Sequence, residues 1–164
     1  RIFPAHIQRS MDKKHLVAKA IETLASNIVG EPKEKKMLDI MISNGKILYI
    51  KSLLLPHLPD SILMEYTPEQ MKWTEDNEKE LWAYFLRDNL LYSTQLMKFQ
   101  KLVGASPKGT SEMPPESPGK TANWVAWQMV KMYMDNQPNL SLEDLVAEQD
   151  AQLIMQKSRY KPKR

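Results

Sequence analysis

A compact domain built only of helices is what this chain of 164 residues predicts. Three observations carry that expectation. Apolar residues recur at spacings of three and four rather than two. Glycine is scarce, with 5 in the chain, and the valine-rich alternation that marks strands is nearly absent. Hydrophobic residues make up 42% of the sequence, enough to bury the core of one domain.

The elements follow in order. Val17, Ile21, Leu24 and Ile28 share one helical face, the pattern of an amphipathic helix. Asp12 is placed to cap that helix, and Gly30 with Pro32 to end it. A second helix is expected from about Pro32, which suits a first turn, to Leu54. Asn44-Gly45 lies inside it, and the plainer reading of that glycine is close helix packing. Residues 56–60 read as a loop. Thr67-Pro68-Glu69-Gln70 then has the form of a capping box, opening a helix that carries acidic residues early and apolar ones through Leu86. Ser93 or Thr94 is expected to cap a shorter helix through Val103. Residues 104–119 hold four prolines and three glycines and read as a long loop. Residues 124–130 are apolar nearly all round, the signature of a central helix that ends before Pro138. Ser141 is placed to cap a final helix running through Leu145, Ala151 and Ile154. Residues 157–164 form a basic tail. No internal repeat is found, so residues 1–164 read as a single domain.

Composition excludes several classes. The net charge is +3, from 23 basic and 20 acidic side chains, a mild excess that does not suggest nucleic-acid binding. No apolar run approaches the roughly 20 residues of a spanning helix. There are no cysteines, which excludes disulfides, thiol nucleophiles and thiolate-bound metals. His6, His15 and His57 are far apart and lie in no H-E-x-x-H motif, so no metal site is expected and no cofactor is implied. Neither a G-x-S-x-G elbow nor a Gly-rich phosphate loop occurs. The acidic cluster from Glu75 to Glu80 reads as a solvated helix start, and the basic tail as a solvated tail rather than a contact to an anionic surface. The 11 methionines read mainly as gap-fillers in the core. No catalytic residue is proposed, and the chain is expected to bind rather than to catalyse. Glu116, Ser117, Lys120, Trp124, Trp127 and Gln128 are the candidate partner or ligand cleft. The two tryptophans are expected mainly in the core, with one edge beside the Pro-rich loop.

Several strings resemble a known family. Asn77-Glu78-Lys79-Glu80-Leu81-Trp82-Ala83-Tyr84-Phe85, Leu90-Leu91-Tyr92-Ser93-Thr94 and residues 116–130 are similar to the gliding-motility lipoprotein GldB family of Bacteroidota. Residues 41–49 and 157–163 fit it too, and residues 11–24 more loosely. Ser117-Pro118-Gly119 followed by Trp124, Trp127 and Gln128 is the most specific part. Ala122 and Ala126 stand where small glycines are expected. The resemblance implies a component of the bacterial cell envelope, exposed to the periplasm and held at the membrane by an N-terminal lipid anchor that this sequence does not contain. It also implies envelope proteins as partners, in gliding or type IX secretion machinery.

The family is in turn distantly similar to zincin-type metallopeptidases. That likeness lays the H-E-x-x-H helix on Ile21-Glu22-Thr23-Leu24-Ala25 and the third metal ligand on Asn44. Apolar and neutral side chains there cannot hold zinc. The likeness therefore implies a degenerate zincin-like scaffold, with a metal- or carboxylate-dependent hydrolase as the alternative reading.

Overall fold

A computed structural model describes residues 3–163, and every regular element among them is a helix. A short turn, α1 (Ala5–Gln8), precedes α2 (Lys13–Val29). Asp12 caps α2 by accepting from the His15 amide at 3.0 Å, and Gly30 closes it at φ 72°. The next helix, α3, spans Met37–Leu54 and not the expected start at Pro32. Residues 31–36 have no large apolar side chain to bury, so nothing holds them on the core. Burial begins at Met37.

After the loop come α4 (Asp60–Met64), α5 (Pro68–Asp76) and α6 (Glu78–Leu86). The expected capping box opens α5: the Gln70 amide donates to the Thr67 hydroxyl at 3.1 Å, and the Gln70 side chain accepts from the Thr67 amide at 3.0 Å. The single helix expected here is broken at Asn77, whose side chain donates to the Trp73 carbonyl at 2.8 Å and competes with the helical backbone. A 3₁₀ segment, Arg87–Tyr92, leads to α7 (Leu96–Val103), where Gln95 rather than Ser93 or Thr94 is the cap. The central helix α8 spans Thr121–Asp135. The expected last helix is two, α9 (Leu142–Ala147) and α10 (Ala151–Ser158), because Asp150 starts a fresh helix by accepting from the Leu153 amide at 3.0 Å.

Helices α3 and α8 cross at the centre. A Cβ on Gly45 would lie 2.7 Å from the Ala126 carbonyl carbon, so the glycine is there for close approach, as expected. Trp127, Phe85, Met37, Met41 and Met129 are wholly buried around that crossing. Met64 and Met71 are buried as well, whereas Met11 and Met97 are exposed, so only part of the methionines fills the core.

Helix α2 differs from its expected packing. Val17, Leu24 and Ile28 are 53%, 49% and 49% exposed, and only Ile21 of that stripe packs against the core. The buried side is His15, Ala18, Ala25 and Val29. Alanines at 18 and 25 let the α2 axis approach α3 closely, and the larger stripe is turned outward as a result.

Two surface expectations are also corrected. Glu78, placed in the solvated acidic cluster, is buried and accepts from the Tyr160 hydroxyl at 2.6 Å. The basic tail is pinned through Tyr160, whose ring meets Trp82 edge-on at 5.4 Å, and through the buried Ser158. Burial, with Glu78 beside it, raises the Tyr160 pKa.

Candidate functional site

A cleft of about 430 Å³ opens between α2, α3, the end of α7 and the start of α8. Its polar rim is Lys19 and Glu22 from α2, Asn44 from α3, Glu65 after α4, and Lys120 and Asn123 at the head of α8. Leu48, Leu63 and Met64 form its apolar floor.

Two left-handed turns meet at the mouth. Glu65 (φ 59°) ends α4, and the Tyr66 amide reverses the chain by donating to the Ser61 carbonyl at 2.7 Å. Lys120 (φ 62°) sets up α8, its amide donating to the Lys101 carbonyl at 2.9 Å. Left-handed backbone costs a side-chain-bearing residue about 1–2 kcal/mol. The two turns hold each other in place. Lys120 donates to the Glu65 carboxylate at 2.7 Å, and the Tyr66 hydroxyl donates to the Gly119 carbonyl. Lys19 reaches the other Glu65 oxygen. Burial pushes the Glu65 pKa up, but the Lys120 charge and the hydrogen bonds from Lys120 and Lys19 outweigh it and hold the group at about 2.

A second ion pair lies deeper. Lys51 of α3 is buried, donating to the Glu22 carboxylate and, at 2.8 Å, to the Leu63 carbonyl. Burial lowers its pKa, and Glu22 opposes that shift. Between the pairs, Asn44 donates to the Asn123 side-chain oxygen at 3.0 Å, and Asn123 donates to the Val103 carbonyl at 2.9 Å.

The six candidate cleft residues do not converge on one cavity. Lys120 lines the cleft. Glu116 is exposed on the long loop, and Ser117 is buried within it. Trp124 and Trp127 lie in the core, with the Lys131 ammonium 3.8 Å from the Trp127 ring centre. Gln128 is half-buried and donates to the Trp124 carbonyl at 3.4 Å. By contrast, Glu22 and Asn44, singled out on other grounds, do share the cleft with Lys120. Sequence reasoning missed Lys19, Lys51, Glu65 and Asn123. The signal for one of them was present: Lys51 interrupts the apolar run from Ile47 to Leu55.

The geometry does not support the hydrolase alternative. Among the described residues, no group of three or more His, Asp or Glu side chains is arranged to hold a metal. Glu22 and Glu65, the carboxylates of the cleft, are each bound to lysine.

The fold and cleft define an all-α domain with an ion-paired polar cleft beside its central helix crossing. The chain belongs to the family described as gliding motility protein GldB, which matches residues 1–162. Membership makes it a gliding-motility-associated protein of a lipoprotein family, and so associates it with the cell envelope. No helix among the described residues is long and apolar enough to cross a membrane. No curated protein and no solved structure matches the chain.

Proposed function

We propose that this protein is a non-enzymatic, periplasm-exposed component of gliding or type IX secretion machinery, and that it binds a segment of a partner envelope protein in the cleft. One observation carries the reading: a polar cleft of about 430 Å³ whose carboxylates are both committed to lysines. A carboxylate held at about 2 is a poor proton acceptor at neutral pH. Fixed charges and amides along an apolar floor suit recognition of a chain segment that offers both polar and apolar groups.

Thr23 stands exposed on the cleft wall and gives a handle for the test. A photo-reactive residue at Thr23 in cells should capture one envelope protein reproducibly. The same residue at exposed Glu143, outside the cleft lining, should not. Equal capture from both positions, or stoichiometric zinc with peptide hydrolysis in the purified protein, overturns the reading.

A further inference from the structure

The outer side of α2 is a surface distinct from the cleft. Leu16, Val17, Leu24 and Ile28 are 56%, 53%, 49% and 49% exposed there. At 100° per residue, Val17, Leu24 and Ile28 form one line along the helix, with Leu16 flanking it. The exposed Lys13 lies in that line one turn before Val17, and the exposed Lys14 sits beside it. Glu22 is the only carboxylate within α2, and it is bound to Lys51. Asp12, at the cap, is bonded to His15. The outer side of α2 therefore combines large apolar side chains and, at its N-terminal end, positive charge, with no carboxylate of the helix itself; the exposed Glu31 follows just past the Gly30 cap at the far end. It is the convex surface of a helix and lines none of the cleft described above.

We propose that α2 lies on an anionic phospholipid surface, with Leu16, Val17, Leu24 and Ile28 at the headgroup–acyl boundary and Lys13 and Lys14 on lipid phosphates. Charge complementarity selects this occupant. An apolar stripe with cationic residues at one end matches a surface that is negative outside and apolar beneath. Lysine stems can cover apolar area while their ammonium groups stay at the phosphates. A convex helix needs no groove in order to insert into lipid.

Co-sedimentation of the whole chain with vesicles tests this directly. Vesicles of phosphatidylglycerol and phosphatidylcholine should bind it at least ~10-fold better than phosphatidylcholine alone. Leu24→Glu with Ile28→Glu should lower binding by ~10-fold or more, and Lys13→Glu with Lys14→Glu by several-fold. Lys161→Glu with Lys163→Glu, in the exposed basic tail, should leave it unchanged. Thermal melts of each variant check folding. Because the chain has no cysteine, Leu24→Cys and Glu143→Cys can each carry a single environment-sensitive label. On anionic vesicles only the label at 24 should report an apolar surrounding. Failure of the wild type to sediment, undiminished binding by the Leu24/Ile28 variant, or a label at 24 that stays in water overturns the proposal. So does a dimer that the Leu24/Ile28 variant dissolves without any vesicle binding, which would give this face to a second copy.

Discussion

Helices α2 and α8 are both rich in large apolar side chains and use them in opposite ways. In α8 Trp124, Trp127, Met129 and Val130 all point into the protein, and even Thr121 and Asn123 are buried. In α2 the inward side is mostly small, and leucine, valine and isoleucine face out. Both helices pack on α3. The inward face of a helix is set by how closely its backbone can approach its neighbour, not only by where its largest apolar residues stand. Periodicity identifies the residues that share a face. The partner's shape decides which face is covered.

That contrast can be broken from the α8 side first. Trp127→Ala should cost about 4 kcal/mol by chemical denaturation, since it empties a fully buried ring site. Gly45→Ala should come next, at roughly 2–3 kcal/mol, because its Cβ would meet the Ala126 backbone, which cannot swing aside as a side chain would. A smaller loss tests the link between the two helices. Glu65 joins Lys19 of α2 to Lys120 at the head of α8, and its folded pKa of about 2 lies below the ordinary 4.5. Its contribution is therefore present above about pH 4.5 and is lost as pH falls toward about 2. Denaturation at about pH 6 and about pH 3 should differ by about 2 kcal/mol more in the wild type than in Glu65→Gln. The smallest effect is expected on the outer side of α2. Leu24→Ser should change stability by less than about 0.5 kcal/mol, where a core leucine would cost several times more.

Features encoded locally were legible in the sequence. Asp12, Thr67 with Gln70, and Ser141 all cap helices, because a cap is a contact between near neighbours in the chain. Gly45 and the tryptophans of α8 were legible through size and composition. The breaks at Asn77 and before Asp150 were not, since a single side-chain bond competes there with an otherwise continuous apolar pattern. The cleft was legible only in pieces. Glu22, Asn44 and Lys120 were each noticed for separate reasons, but the pairs Glu22–Lys51 and Glu65–Lys120 join residues 29 and 55 apart in the chain, and no local pattern records such a partnership. The long loop was read as a single irregular stretch, yet Ser117, Pro118 and Gly119 at its end are buried.

The clasp between Tyr160 and Glu78 has a consequence for the life of the chain. It closes a span of 82 residues, and α10, just before it, packs on α8. A chain that emerges vectorially, from a ribosome or through a translocation pore, cannot complete this core until residue 160 is free. Before that moment Glu78, Trp82 and the α10 side of α8 face water or whatever chaperone receives them. Folding to the final state is therefore tied to the emergence of Tyr160, and a chain cut a few residues before it should be exposed and protease-sensitive.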